Sequence, residues 1–127
     1  MLKQNDRQHE LMAAFWQGLS HPIRLRILAL LREHGSLNVG DMVTALGIGQ
    51  GHLSNHLSCL KSCGFVVATP RGRFMYYQIA DSRVNDLLDL GLAMMQDHAE
   101  GVAACVVVGH ANEPNRGFFL PPGEDSL

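Results

Sequence analysis

Two of the three cysteines in this 127-residue chain stand four positions apart, at Cys59 and Cys63. On a helix this spacing places the two Cβ atoms about 5–6 Å apart on one face. An ordinary disulfide needs a Cβ separation of roughly 3.5–4.5 Å, so the pair would have to distort the helix to form one. Two thiolates at this spacing can instead converge on one metal ion. The spacing therefore indicates a metal site.

A third thiol is needed to complete such a site, because two thiolates leave a soft metal ion under-coordinated. Cys105 is the only other cysteine, and it lies in residues 101–109, which we expect to follow the last helix and to be able to fold back. Three thiolates favour soft, thiophilic ions over Mg²⁺, Ca²⁺ or Mn²⁺. They lack the fourth nitrogen or sulfur ligand that structural zinc prefers. One alternative is that the cysteines are small buried hydrophobic residues.

Other potential ligands are spaced less favourably. Asp97 and His98 are adjacent, and adjacent side chains on a helix do not face one point. Together with Asp86 or Glu100 and with His110 of the C-terminal tail, they could form a second, imidazole-type site across a dimer. We expect His56 to pack at the edge of the core as a structural residue.

Helical periodicity predicts the elements that position the thiols. We expect a first helix over residues 4–18 and a second helix that is capped by Ser20 and ends at Gly35. Asn38 should cap a short third helix over residues 39–46, which Gly47 ends. Residues 50–63 form the next helix, with apolar residues at Leu53, Leu57 and Leu60. Two short helices joined by a few residues that include Gly are typical of a helix-turn-helix.

A β-hairpin should follow the second helix of this pair. Residues 65–69 and 74–79 are β-rich runs, and the Pro70-Arg71-Gly72-Arg73 sequence between them is typical of a turn. A final helix, capped by Asp81 or Ser82, should extend to about Ala99. The predicted fold is mostly α with a β-hairpin, a winged helix-turn-helix. The first and last helices lack partners in so small a domain, so we expect a homodimer formed through them.

The helix over residues 50–63 carries polar residues opposite its leucines. The N-terminal residues of a recognition helix reach base edges, and Gln and Asn can pair bidentately with adenine. Phosphate contacts need basic side chains. We therefore predict that double-stranded DNA is read by Gln50, His52, Ser54 and Asn55 and that its phosphates are contacted by Lys61, Arg71 and Arg73.

Charge is distributed unevenly along the chain. Residues 1–83 carry nine Lys and Arg against five Asp and Glu, whereas residues 84–127 carry one against seven. A basic N-terminal part and an acidic C-terminal part are typical of a protein that binds nucleic acid with one part of the chain only. We expect a winged domain over residues 1–100 that binds DNA and forms the dimer, and a partly disordered tail over residues 101–127 that carries Cys105.

Composition bounds the class of protein. No apolar run approaches the ~20 residues of a membrane span, and the polar first ten residues predict no signal peptide. We therefore expect a cytoplasmic protein with no membrane partner, in which three cysteines are reduced rather than paired in disulfides. The sequence contains no nucleophile–base constellation and no phosphate-binding loop, so it does not predict an enzyme, and no organic cofactor is expected.

Three stretches resemble the ArsR/SmtB metal-responsive repressors. They are residues 19–28 (LSHPIRLRIL), residues 53–57 (LSNHL) and the Gly72-Arg73 pair of the hairpin. The resemblance covers roughly residues 10–100. Within that family, residues 53–69 with Cys59 and Cys63, and residues 80–82, are most similar to the cadmium/lead sensors.

The resemblance implies a specific ligand set and inducer. In the cadmium/lead sensors, two thiolates of the reading helix join a third from the tail of the other subunit, which implies Cys59 and Cys63 with Cys105 of the partner subunit. The family's other sites are missing. Asn38 and Gly40 stand where an arsenic-type Cys-x-Cys would fall, no Asp-x-His lies around residues 86–89, and the second helix has no cysteine.

The expected function is a repressor that leaves its operator when Cd²⁺ or Pb²⁺ binds as inducer. The alternatives are a thiol redox-sensing or As(III)-sensing repressor of the same fold, and a metal-independent winged-helix regulator with structural cysteines.

Overall fold

The computed structural model describes the backbone of residues 2–112 and the side chains of residues 5–105. The chain is mostly helical, with one three-stranded antiparallel sheet, and the predicted fold class is confirmed. The elements are α1 (Leu2–Gln17), α2 (Pro22–His34), β1 (Leu37–Asn38), α3 (Val39–Leu46), α4 (Gln50–Ser62), β2 (Val66–Arg71), β3 (Phe74–Ile79), α5 (Ser82–Asp97) and α6 (Ala99–Asn112).

The start of α2 differs from the prediction. The N-cap is His21 rather than Ser20, and its Nδ1 accepts a hydrogen bond of 3.1 Å from the backbone N–H of Ile23. The hydroxyl of Ser20 instead donates to the last carbonyl of α1, that of Gln17. An imidazole nitrogen thus satisfies one of the helix's free N–H groups in place of the expected hydroxyl. The helix ends at Gly35, as predicted.

The helix-turn-helix consists of α3 and α4. Asn38 caps α3 as predicted, and it forms a reciprocal capping box with Asp41 through hydrogen bonds of 2.8 and 3.3 Å. Gly47 ends α3 in the left-handed conformation, with φ 70°. Helix α4 then begins at Gln50 and ends at Ser62, and Cys63 is its C-cap.

The hairpin of β2 and β3, here called the wing, extends further than the sequence indicates. Pro70 and Arg71 belong to β2 rather than to the turn, and they pair with Met75 and Phe74. A short strand that the sequence pattern does not predict, β1, pairs with β3 on its other side. The wing is therefore part of a three-stranded sheet that is joined to the start of α3.

The core lies between α2, α3, α4 and the base of the wing. Side chains from all four are almost fully buried, and the three leucines predicted to face inward from α4 are among them. The buried apolar residues of these elements are Ile27, Leu28, Leu31, Met42, Leu46, Leu53, Leu57, Leu60, Phe65 and Val66.

The C-terminal part of the chain is helical where the structure describes it. One compact unit ends at Val84 and a second begins at Asn85, within α5. The final helix was predicted to end near Ala99, but a further helix, α6, runs from Ala99 to Asn112 and includes residues 101–109, which were expected to follow the last helix and to be able to fold back. The predicted disorder of residues 113–127 lies outside the described residues. No helix in the described part of the chain is long and apolar enough to cross a membrane.

Candidate metal centre and nucleic-acid interface

The two thiols of α4 lie together at its C-terminal end. Cys59 is in the last turn, and Cys63 caps the helix with its backbone N–H donating to the Cys59 carbonyl at 3.0 Å. Both are free thiols of intermediate burial, and they lie close enough for Cys59 to raise the pKa of Cys63. The predicted pair is thus brought together at one end of α4.

The protonation of Cys63 is set by its surroundings. Burial raises the pKa of the Cys63 thiol, and the charge of Cys59 and its hydrogen bond raise that pKa further. The nearby Arg24 guanidinium acts in the opposite direction and lowers it. Because a metal ion binds the thiolate, occupation of this site would release a proton.

The Cys63 sulfur packs against the end of α1. Gly18, the first residue after α1, is buried, and a β-carbon added there would lie 3.0 Å from Cys63 Sγ and 3.0 Å from Cε2 of Phe65. The Phe65 ring also meets the ring of Phe15 on α1, with 4.9 Å between their centroids. A side chain at this position would be crowded, so the glycine lets the end of α1 approach the thiol closely.

A buried histidine connects α4 to α2. His56 is only 6% exposed, and its Nδ1 accepts a hydrogen bond of 3.0 Å from Nε of Arg24. Its Nε2 has no hydrogen-bond partner among the described residues. Burial, together with the charges of His21, Arg24 and His52, lowers the pKa of His56 to about 4. His56 therefore lies at the core edge, as predicted.

Three imidazoles form a cluster around this connection. The ring centroids of His21 and His52 lie 4.5 and 4.9 Å from that of His56. Burial, followed by the charges of Arg24 and His52, also lowers the pKa of His21. The sequence indicated His52 and His56 but not His21, because a histidine before Pro22 is not a usual capping residue.

The residues predicted to read base edges lie on the exposed side of α4. All four belong to its first two turns, and all are exposed: Gln50, His52, Ser54 and Asn55. The N-cap Gly49 makes no side-chain hydrogen bond, so the first N–H groups of α4 stay open to solvent or to a phosphate.

The predicted phosphate contacts differ in their surroundings. Lys61 on α4 and Arg73 at the tip of the wing are exposed. Arg71 is also exposed, but its Nη2 donates to Ser36 Oγ at 2.9 Å, and its guanidinium lies 3.9 Å from the centre of the Tyr76 ring. The Arg71 side chain thus reinforces the sheet as well as facing outward.

The remaining ligand candidates lie in α5, in α6 and at His98 between them. Cys105 is exposed on α6, and Asp86, Asp97, His98 and Glu100 are exposed too. The side chain of His110 lies outside the described residues. Within the described part of a single chain, no three His, Cys, Asp or Glu side chains are grouped so that they could hold a metal ion.

The fold and the exposed polar face of α4 define a winged helix-turn-helix DNA-binding protein. Residues 21–67 match the family described as bacterial regulatory protein, arsR family. The chain belongs to this family, whose members are transcriptional regulators rather than enzymes.

Relatives of known name support this membership. The chain is 36% identical over 93 residues to a probable mercury resistance operon repressor of Streptomyces lividans, covering 73% of this chain and 74% of that protein. It is 39% identical over 90 residues to the HTH-type transcriptional regulator CmtR of Mycobacterium tuberculosis, covering 68% and 75%. It is also 40% identical over 78 residues to NmtR of the same organism, covering 61% and 64%.

Solved structures share the fold. Rv0081 of M. tuberculosis superposes with a TM-score of 0.70 at 31% identity, covering 76% of this chain and 96% of that one. A homodimeric winged helix-turn-helix domain, Mb0332 of Mycobacterium bovis, gives a TM-score of 0.68 at 32% identity, covering 77% and 90%.

Proposed function

We propose that the chain is a homodimeric, metal-sensing repressor that acts in the cytoplasm. The metal-free dimer binds operator DNA, and Cd²⁺ or Pb²⁺ releases it by binding to Cys59 and Cys63 together with Cys105 of the partner subunit. Release allows transcription of metal-resistance genes. The observation that carries the proposal is that the neighbouring thiols of Cys59 and Cys63 end the same helix whose first two turns expose the predicted base-reading residues.

The donor set suits a soft ion. Two neighbouring, half-buried thiols supply sulfur ligands and no carboxylate, a combination that selects thiophilic metals. Named relatives include a mercury resistance repressor and CmtR, which fits an ion of this class. A third sulfur from Cys105 would give the three-coordinate site that large soft ions accept.

Metal and DNA are coupled because they use one helix. A bound ion fixes the sulfur atoms at the C-terminal end of α4, while DNA fixes its N-terminal end. If the two ligands favour different placements of α4, each weakens the other's binding. Coupling free energies between linked sites are typically about 1–3 kcal/mol and are reciprocal.

A dimer follows from the exposed apolar side chains of the outer helices. Leu11, Met12 and Trp16 on α1, and Leu90 and Met94 on α5, are each at least 40% exposed. Large apolar residues exposed in this number mark an interaction surface. A two-fold dimer would place two α4 helices in successive major grooves, roughly 34–36 Å apart.

The test is an anaerobic titration of the reduced protein with Cd²⁺, followed by ultraviolet thiolate-to-metal charge-transfer absorption. It is run on the wild type, on Cys59→Ser, Cys63→Ser and Cys105→Ser, and on Ser58→Ala as an exposed control on the same helix. Release of a duplex selected from a random pool by the metal-free protein, here called the selected duplex, is measured alongside. We expect a tight site that each cysteine variant loses and the control keeps.

Mixed dimers identify the subunit that supplies the third thiolate. A heterodimer of Cys59→Ser/Cys63→Ser with Cys105→Ser keeps one complete site if Cys105 ligates across the interface. It keeps none if all three ligands come from one chain.

Equal Cd²⁺ affinity of the free and DNA-bound dimers would contradict the proposal.

A second candidate is a thiol repressor of the same fold that responds to oxidation or to As(III). It is favoured by the proximity of the two thiols, which lie one helical turn apart at the end of α4 and affect each other without any ion. Release of the selected duplex by hydrogen peroxide in the presence of a chelator would support the redox function. Binding that survives Cys105→Ser and prefers arsenite would support the arsenic one.

A further inference from the structure

Arg24 connects α2 to α4 and to the end of α1 next to the thiol pair. Arg24 of α2 donates through Nε to His56 of α4 at 3.0 Å and through Nη1 to the Gln17 carbonyl of α1 at 3.2 Å. The same Nη1 lies 3.5 Å from the carbonyl of Gly18, and the Cα of Gly18 packs against the sulfur of Cys63. We call Gly18, Arg24, His56 and Cys63 the thiol junction.

The thiol junction is tightly packed between Gly18 and the Cys63 sulfur. A single added carbon at Gly18 would meet Cys63 Sγ, the Phe65 ring and the Phe15 carbonyl, all within 3.1 Å. Densely packed groups transmit displacement rather than absorb it. A sulfur that moves towards Gly18, or gains a substituent on that side, therefore presses on the end of α1.

The Arg24 side chain links that displacement to the reading helix. Its guanidinium is planar and holds its donors in a fixed fork, so the α1 carbonyls and the His56 ring are kept in one geometry. His56 lies seven residues before Cys63, about 10 Å along the helix axis. The Gln17 carbonyl and the His56 ring cannot shift independently while both bonds are kept.

We propose that Arg24 is a positioning residue that carries a change at the Cys63 sulfur to the placement of α4 and of α1. This rests on the proposed function only in taking Cys63 as the point where the signal arrives and α4 as the helix that reads DNA. Through α1, which carries the exposed Trp16, the same change reaches the surface that we expect to form the dimer.

The experiment changes Arg24 and keeps the thiols. Arg24→Met removes the guanidinium and its charge but keeps a side chain of similar length. Arg24→Lys keeps the charge and a single donor nitrogen. Arg26→Met is the control, since Arg26 is an exposed arginine of the same helix. For each folded dimer, Cd²⁺ affinity is measured free and bound to the selected duplex. We expect Arg24→Met to retain the charge-transfer band but to reduce the ratio of the two affinities at least tenfold. Arg24→Lys should restore part of that ratio, and Arg26→Met should match the wild type.

A second signal avoids metal altogether. In a Cys59→Ser/Cys105→Ser background, methyl methanethiosulfonate converts the Cys63 thiolate to a methyl disulfide and releases methanesulfinate. We expect the added group to weaken binding of the selected duplex at least tenfold and to change the fluorescence of Trp16, the single tryptophan. In the Arg24→Met version of this background, the effect on DNA should fall to less than threefold.

The two arms separate the junction from the proposed function. If Cd²⁺ does not bind but methylthiolation acts through Arg24, the metal function fails and the junction stands. If Cd²⁺ binds and releases DNA equally well in wild type and Arg24→Met, and methylthiolation is equally effective in both, the junction is wrong and the metal function stands.

Discussion

Arg24 and His56 are joined by a 3.0 Å hydrogen bond from Nε to Nδ1 that crosses from α2 to α4. An Nδ1 that accepts from an arginine leaves the imidazole proton on Nε2, so the bond requires a neutral ring. Protonation would place two donors face to face beside a permanent positive charge. The attachment of α4 to α2 therefore depends on the protonation of His56 as well as on the state of the thiols.

Acid should destabilise the fold through His56. Its pKa is about 4 in the folded chain against 6.5 as the ordinary value, so the unfolded chain binds more protons between these limits. Stability is therefore full above pH 6.5 and falls as the pH drops towards 4, by roughly 2 kcal/mol between pH 7.5 and pH 5. The lowered pKa of His21 acts in the same direction. Urea unfolding at fixed protein concentration measures the change.

A glutamine tests this assignment, because it keeps an acceptor and a donor but does not titrate. We expect His56→Gln to lose most of the difference in unfolding free energy between pH 7.5 and pH 5. Replacement of the exposed His9 by Gln should leave that difference as in the wild type. A His56→Gln protein with the full wild-type pH dependence would assign the effect elsewhere.

The leucines of α4 should dominate the stability of the DNA-reading unit. Leu57 is 1% exposed, so Leu57→Ala removes buried methyl groups and leaves a cavity, at an expected cost of about 2–5 kcal/mol. Ser58→Ala, on the exposed side of the same turn, should change the unfolding free energy by less than about 0.5 kcal/mol. Chemical denaturation of both variants at pH 7.5 makes the comparison. Equal stabilities would mean that α4 is not packed as described.

The wing should contribute phosphate contacts that depend on salt. Arg73 is exposed at the tip, and we expect Arg73→Ala to weaken binding of the selected duplex and to reduce the slope of log K against log salt by about 1. Arg7→Ala, which removes an exposed arginine of α1, serves as the charge-matched control. A slope that falls equally in both variants would indicate a general charge effect rather than a contact.

The apolar face of α1 should hold the dimer together. Trp16 is 44% exposed, and Trp16→Glu would place a carboxylate from each subunit in the expected interface. We expect the dimer dissociation constant to rise at least tenfold, which corresponds to about 1.4 kcal/mol. Sedimentation equilibrium of the variant and of Gln8→Glu, an exposed position on the same helix, provides the measurement. If both proteins remain dimers to the same dilution, α1 does not form the interface.

Features set by neighbouring residues were predictable from the sequence. The leucine spacing of α4, the Asn38 cap and the glycine that ends α3 each depend on a few consecutive positions, and each was confirmed. The proximity of Cys59 and Cys63 follows from helical spacing alone. The hairpin was found because its two β-rich runs flank a Pro and a Gly.

Features that depend on distant or unusual partners were not predictable. Strand β1 has two residues, which is too short to show alternation, and it exists only because β3 lies beside it. The glycine at position 18 carries no sign that the sulfur of a residue 45 positions later packs on it. Helix α6 contains glycines and β-branched valines that weaken the helical signal, so the last helix was predicted to end near Ala99.

Asn38 pairs with Tyr76 in the sheet and also caps α3 with its side chain. The wing and α3 are therefore connected directly through Asn38, with no linker residue between them. An insertion or deletion between Gly35 and Val39 would break the strand register and the cap at once. Length variation along a lineage of such regulators should accordingly be tolerated at the Gly72 tip and excluded from this connection.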